Sequence, residues 1–270
     1  LIQIIIFNMF VSVVTFFEFL FLQKFKIEFS YNSALFALFY TVLIISCLTA
    51  IIKAYSLGNI MTVTIYSLIG GIVLPFFYGI IILNEKITIF KIVAIILICI
   101  SFILLIFEKK PEKTKKINKA NRLKFILLCF FIFITNGMLS VVLKAHQCIG
   151  GTVSEGSFLM IASVLIFLFT LIIILIYLIK NKENINVIKK SIPLNSIGFI
   201  IGYAVCNGTG MLFNLLSAKL LPSSVQFPII SGGIVLLTAL FSVSFYKEKL
   251  TTVNIISSLI TIMSLFLIIK

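Results

Sequence analysis

Apolar residues run through the chain in nine long segments that short polar or charged stretches separate. The segments cover about residues 1–22, 33–52, 60–83, 89–107, 124–143, 157–179, 196–217, 225–246 and 252–269. Each is close to the ~20 residues with which an α-helix crosses a bilayer, whereas the strands of a membrane barrel have ~10. Because lipid offers the backbone no hydrogen-bond partner, such runs predict helices. We therefore expect an all-α integral membrane protein with nine transmembrane helices.

The composition agrees with this prediction and narrows the chemistry. Hydrophobic residues make up 61% of the chain and the mean hydropathy is +1.26, well above the usage of soluble domains. The acidic residues are all Glu, and His146 is the one histidine. A chain without Asp excludes aspartyl intramembrane proteases and Walker-type ATPases, and one histidine excludes an HExxH zinc site. We expect no enzyme activity, no catalytic residue, no cofactor and no metal site.

The net charge of +14 comes from lysines near the ends of the apolar segments and from one basic run, Lys109–Lys124. Dispersed cations of this kind indicate contact with anionic membrane lipids rather than with nucleic acid. If the nine segments alternate in direction, one face receives only Lys24, Lys26, Lys86, Lys91, Lys144, Lys219 and Lys270. The positive-inside rule then places the basic run in the cytoplasm and the C-terminus outside.

Two stretches form an internal repeat. GGIVLPFFYGIIILNEKIT (Gly70–Thr88) and GGIVLLTALFSVSFYKEKLT (Gly232–Thr251) share a double glycine, an apolar span and a Glu-Lys-aliphatic-Thr turn. Pairing the spans from these anchors leaves only the segment 124–143 without a counterpart. We therefore expect a further helix before Leu1 and two five-helix halves. The predicted divisions are 1–108 with four of the five helices of the first half, a basic linker at 109–123, and the second half at 124–270.

An odd number of spans in each half gives the two halves opposite orientations, which is the inverted-repeat plan of secondary transporters. The corresponding turns carry Glu85 with Lys86, and Glu248 with Lys249. We expect these residues to anchor the turns at the membrane interface, each carboxylate lying close to the N-terminus of the helix that follows. Thr88 and Thr251 are the predicted N-caps of those helices.

The twin repeat units resemble the drug/metabolite transporter superfamily, specifically its EamA type. Two further stretches carry the resemblance: KAYSLGNIMTVTIYSLIGG (Lys53–Gly71) and NGMLSVVLKAHQ (Asn136–Gln147). The resemblance implies ten helices in two inverted halves, a central substrate cavity and alternating access. It does not imply one substrate, and it implies that both termini lie in the cytoplasm, which disagrees with the charge rule.

We therefore expect a secondary active transporter that exports or imports a small organic metabolite or drug, with coupling to protons or another ion left open. Its expected location is the cell membrane, as a multi-pass protein of the bacterial plasma membrane. Two alternatives remain open: a flippase for lipid-linked sugars or lipids, and a partner subunit without transport activity. An intramembrane enzyme is a third class, but His, Asp and Arg are too scarce in the sequence to support it.

Polar side chains deep in apolar spans predict the substrate site, because unpaired polar groups are unfavourable in lipid. The candidate substrate-binding residues are Thr64, Tyr66, Ser67, Asn136, Asn207, Gln226 and Ser231. The glycine pairs and the prolines within the spans are predicted to serve either helix packing or gating: Gly70, Gly71, Pro75, Pro228, Gly232 and Gly233. Glu18 is the one carboxylate well inside an apolar run and is the candidate for proton coupling. Lys144 is expected to extend to the interface, and His146 to lie in a loop.

Overall fold

A computed structural model of the chain describes residues 2–58, 60–106, 119–149, 153–180, 197–246 and 251–269. Most of these residues are helical, and none of them forms a strand, which confirms the all-α prediction. The helices are α1 (Ile2–Leu22), α2 (Tyr31–Leu57), α3 (Ile60–Ile81), α4 (Ile89–Ile106), α5 (Lys119–Cys148), α6 (Glu155–Lys180), α7 (Ile197–Leu220), α8 (Ser223–Tyr246) and α9 (Thr252–Ile269).

Seven of these helices are long and apolar enough to cross a membrane: α1, α2, α3, α5, α6, α7 and α8. The other two described helices, α4 and α9, are strongly apolar and have 18 residues each. Pro75 and Pro228 lie inside α3 and α8. Several apolar helices of this length make the chain a multi-pass membrane protein. The number of nine spans stays a prediction.

Two threonines begin the helices that follow the repeat turns. The Thr88 hydroxyl oxygen accepts a hydrogen bond from the Lys91 backbone amide at 3.4 Å, at the start of α4. The Thr251 hydroxyl oxygen accepts one from the Asn254 amide at 3.2 Å, at the start of α9. Both threonines use the side-chain oxygen to satisfy an amide that the helix leaves free. Both predicted N-caps are confirmed.

The chain divides into two compact units. The first consists of Leu1–Ile45 and Ala145–Lys219. In it α1 and α6 pack in opposite directions: Ile5 and Ile6, near the start of α1, cluster with Ile174 near the end of α6. A smaller cluster joins Val11 of α1 to Ile200 and Ala204 of α7. Apolar side chains supply most of this packing.

The second unit consists of Ser46–Lys144 and Leu220–Lys270. Its main core joins α3, α4, α8 and α9 through buried aliphatic and aromatic side chains of α3 and α4, with Ile268 of α9. In addition, the Ser101 hydroxyl of α4 lies 2.7 Å from the Ser257 carbonyl oxygen of α9, to which it donates. Each unit takes helices from both halves of the sequence. The division of the repeat at 109–123 stays a prediction, and residues 109–118 lie outside the described part of the chain.

Candidate functional site

The carboxylate of Glu85 caps a helix that begins far along the chain. One oxygen accepts a hydrogen bond from the Ser223 amide at 2.6 Å, and the other from the Ser224 amide at 3.1 Å. These amides open α8, where a helix leaves donors free and its dipole favours negative charge. The sequence predicts that Glu85 lies at the N-terminus of α4. The structure shows that the partner is α8 and not α4, because the turn after α3 brings the Glu85 side chain to the start of α8.

Burial alone would raise the pKa of Glu85, but the hydrogen bonds from Ser223 and Ser224 together outweigh burial and hold the pKa below its usual value. Lys86, the next residue, is exposed, and its carbonyl oxygen accepts a bond from the Lys91 ammonium at 3.4 Å. Glu85 therefore fixes the turn and Lys86 faces outward. Glu248 and Lys249, the repeat counterparts, lie outside the described residues.

A lysine binds the same connection between α7 and α8 from the other side. The Lys144 ammonium donates to the Leu221 carbonyl oxygen at 2.6 Å, and the side chain is only 4% exposed. The expectation that Lys144 extends to the interface is therefore wrong. The Lys144 ammonium binds the carbonyl oxygen that follows the C-terminus of α7, and the Glu85 carboxylate binds the N-terminus of α8. These two contacts hold the connection between the helices. Both charges have the sign that the helix dipoles favour.

A second carboxylate caps α6 in the first unit. Glu28 follows α1 and accepts a hydrogen bond from the Ser154 amide at 2.8 Å, just before α6 begins. The bonds from Ser154 lower the pKa of Glu28. Gln23 adds a bond to the same helix end: with its side-chain amide turned so that both of its atoms are satisfied, the oxygen accepts from the Ser157 backbone amide at 2.7 Å. The sequence did not predict that Glu28 and Gln23 cap α6. Its signal was a carboxylate six residues beyond an apolar span.

Glu18 lies on the face of α1 that meets α7 in the first unit. Its carboxylate occupies the place where a Cβ on Gly208 would be, so only glycine admits it there. Both carboxylate oxygens are buried, and within the described residues they make no hydrogen bond of normal geometry. The polar group that interacts with the carboxylate is the backbone NH of Thr209. The Glu18 carboxylate is therefore buried within the first unit, although the residue as a whole is only partly buried.

Two of the candidate residues on α3 and α5 meet within the second unit. The Asn136 side-chain amide of α5 donates to the Ser67 carbonyl oxygen of α3 at 2.7 Å. Tyr66 packs against a buried cluster that includes Cys47 and Cys129. Thr64 is exposed, and its hydroxyl donates to the Ile60 carbonyl oxygen at 3.1 Å. The Asn136 side chain therefore joins α5 to the backbone of α3.

The candidates on α8 are buried, whereas the candidate on α7 is exposed. Gln226 is 1% exposed and Ser231 is 8% exposed, both in the second unit. Asn207 belongs to the first unit and is exposed. A buried glutamine two residues before Pro228 is well placed to recognise a polar solute, since a proline weakens the helix ladder beside it. Gln226 is the strongest substrate-binding candidate of the set.

The glycines of the repeat differ in what surrounds them. Gly70 of α3 faces the Phe133 carbonyl of α5, and a Cβ on Gly137 would lie 2.5 Å from the Gly70 carbonyl oxygen. A Cβ on Gly71 would lie 3.1 Å from the Asn136 amide nitrogen, and one on Gly232 would lie 3.1 Å from Leu265 of α9. A Cβ on Gly233 would meet no atom within 4 Å. Close helix packing therefore explains Gly70, Gly71 and Gly232 but not Gly233.

His146 is a buried residue of the last turn of α5, not a loop residue as we had expected. Its Nε2 lies 3.1 Å from the Ser33 hydroxyl, and its Nδ1 lies 3.1 Å from the Gln147 side-chain nitrogen. Because an amide NH₂ group only donates, Nδ1 accepts and Nε2 carries the hydrogen. The ring also packs on Phe158 with centroids 4.1 Å apart. His146 thus orders the packing within the first unit.

Two crevices in the first unit are lined almost wholly by apolar side chains. One of about 460 Å³ lies among α1, α6 and α7, and one of about 470 Å³ lies among α1, α2 and α6 with the loop that follows α1. Within the described residues no group of three His, Cys, Asp or Glu side chains could hold a metal ion.

The chain matches no protein-family model, and no curated protein is a significant match to it.

Proposed function

We propose that this protein is a secondary transporter of a small organic solute, built as an inverted repeat of the EamA type and working by alternating access. One observation carries the proposal: three of the four helix pairs that are counterparts in the sequence repeat pack against each other. These pairs are α1 with α6, α3 with α8, and α4 with α9. Counterparts in an inverted repeat run in opposite directions, so their contacts discriminate this plan from a parallel one.

The contacts at the helix ends support opposite directions in all three pairs. Glu28, after the end of α1, contacts the start of α6, and Glu85, after the end of α3, contacts the start of α8. Ser101, in the last third of α4, bonds Ser257 in the first third of α9. The same helix-end contacts therefore recur in both units, as expected from repeated halves of opposite orientation.

The side chains support a solute as the substrate. Buried polar groups within apolar helices are unfavourable unless they serve packing or recognition. Gln226 and Ser231 of α8 are such groups in the second unit, and Glu18 is one in the first. Gln226 supplies hydrogen bonds to a polar solute, and Glu18 supplies an exchangeable proton. The coupling ion in this proposal is the proton.

The Glu18→Gln variant tests the coupling. Glutamine keeps the shape and cannot release a proton, so proteoliposomes with this variant should lose pH-driven solute uptake by more than tenfold. Counterflow exchange at equal pH should persist, because it moves solute without net proton movement. The matched control is Glu155→Gln, the same change at the first residue of α6, where the carboxylate forms an ion pair with Lys219. Full pH-driven uptake by Glu18→Gln would rule out Glu18 as the proton carrier.

A ligand screen tests the substrate site. The full chain in detergent is heated with amino acids, nucleosides, phosphorylated sugars, tetraphenylphosphonium or lipid-linked sugar precursors. A compound at ~100 times its dissociation constant should stabilise the protein by about 2.7 kcal/mol. Gln226→Ala should abolish that stabilisation. Thr238→Ala should retain it, because Thr238 is exposed on α8 and bonds the Ile234 carbonyl of its own helix.

The same screen discriminates the second candidate function. The two apolar crevices of the first unit are suited to acyl chains, which favours a lipid flippase as the alternative. Stabilisation by a lipid-linked precursor alone, unchanged in Gln226→Ala, would support the flippase. Stabilisation by a soluble compound that depends on Gln226 would support the solute transporter.

A further inference from the structure

A third cavity differs from the two apolar crevices because it has lysines at its rim. It has a volume of about 560 Å³ and lies in the second unit, between the end of α2 and the start of α5. Its lining includes Lys53 and Ser56 of α2, and Lys124, Leu127, Leu128 and Phe131 of α5. Nothing in the proposed transport cycle uses these residues.

The polar part of this cavity is cationic. Lys53 and Lys124 are both exposed, and neither forms an ion pair within the described residues. Among the described residues, no carboxylate lines the cavity. The Ser56 hydroxyl already donates to the Lys53 carbonyl oxygen at 2.7 Å, so the two ammonium groups carry the recognition of an anion. Two unpaired cations at one rim attract a phosphate group.

The remaining part of the cavity is apolar and follows the helix axis away from the lysines. Lys124, Leu127 and Phe131 are spaced by three and four residues, so they share one face of α5. Leu127 and Phe131 are exposed there. An apolar strip below a pair of cations matches a lipid, whose acyl chains lie beneath an anionic headgroup. A free phosphate or sugar phosphate would leave the strip uncovered.

We propose that this cavity, the Lys53–Lys124 site, binds one anionic phospholipid. The phosphate lies between the two ammonium groups, and an acyl chain lies along Leu127 and Phe131. If the spans alternate in direction, this end of α2 and α5 is on the same side as the basic run Lys109–Lys124. The positive-inside rule makes that side cytoplasmic, where basic pockets between helices bind anionic lipid headgroups. The site is independent of the solute site and of the coupling ion.

The experiment measures the thermal unfolding of the full chain in detergent with added lipid. Dioleoylphosphatidylglycerol should raise the unfolding midpoint of the native protein, and dioleoylphosphatidylcholine should not. A Lys53→Gln/Lys124→Gln variant should bind phosphatidylglycerol about 25-fold more weakly, since each lysine contributes about fivefold near an anionic lipid. The control is Lys26→Gln/Lys86→Gln, which removes two exposed lysines predicted to lie on the other face. It should respond as the native protein does.

A second variant separates a lipid from a free anion. Phe131→Ser leaves both lysines in place, so it should weaken phosphatidylglycerol binding without changing any effect of inorganic phosphate. An equal response to the two lipids would overturn the proposal. So would an unchanged response in Lys53→Gln/Lys124→Gln, or stabilisation by inorganic phosphate that equals that by the lipid. Unfolding without lipid, measured for every variant, checks that each one folds.

Discussion

Glu85→Ala should lower the free energy of unfolding by about 2 kcal/mol. Hydrogen bonds to a charged group contribute about 1.5–3 kcal/mol, and loss of an N-cap costs about 0.5–2 kcal/mol. The substitution leaves the Ser223 and Ser224 amides without the carboxylate that now accepts from them. Lys86→Ala, in the same turn, should change the free energy of unfolding by less than about 0.5 kcal/mol, because that side chain is exposed.

The contribution of Glu85 to the free energy of unfolding should decrease at acidic pH. The pKa of Glu85 is lowered in the folded protein from its ordinary value of 4.5. Its contribution is therefore complete above about pH 4.5 and is lost as the pH falls through the lower folded-state value. Native protein should lose stability in that acidic range, and Glu85→Ala should lose less. Equal acid sensitivity in both proteins would contradict the assignment of Glu85 as the cap.

Unfolding is best followed by thiol exposure, because the chain has no tryptophan. Cys47 and Cys129 are buried in the second unit and should react with a maleimide dye only on unfolding. Cys148 and Cys206 are exposed and should be replaced by serine in every variant. Midpoints that fall for Glu85→Ala and stay constant for Lys86→Ala would support the cap.

Gly70→Ala should be destabilising, whereas Gly233→Ala should not. A methyl group at Gly70 would overlap the Phe133 carbonyl, so α3 and α5 must move apart. Such overpacking costs about 1–3 kcal/mol. At Gly233 nothing lies within 4 Å of the new methyl group, and alanine favours the helix by up to about 1 kcal/mol.

The two glycines come from the double glycines of the two repeat units, and the expected effects of their substitution on stability have opposite signs. The same thiol-exposure measurement compares them in one background. A Gly70→Ala protein as stable as the native one would show that α3 and α5 do not cross closely at this point. The glycine pairs would then need another role, such as the gating that the sequence also left open.

Much of the fold is predictable because lipid imposes simple rules. The long apolar runs could only be helices, and the helices that follow the repeat turns begin where Thr88 and Thr251 predicted them. Threonine caps are local, because the side chain bonds an amide three residues away. Contacts within a few residues can be inferred from sequence alone.

The partners of the charged residues could not be predicted, because they lie far along the chain. Glu85 bonds amides of Ser223 and Ser224, and Lys144 bonds a carbonyl that follows α7. A sequence shows that a carboxylate follows a span, as Glu85 and Glu28 do, but not which helix end it meets. Tertiary packing decides that, and the sequence rule favoured the nearest helix.

The side on which each repeat turn lies tests the central claim most directly. Single cysteines at Lys86 and Lys249, corresponding positions of the two halves, are labelled with a membrane-impermeant maleimide in intact and in permeabilised cells. Exposed Cys148 and Cys206 are first replaced by serine. The inverted repeat predicts opposite sides: Lys86→Cys labels from outside and Lys249→Cys only after permeabilisation. Labelling of both from the same side would contradict the inverted repeat and, with it, the proposed transporter.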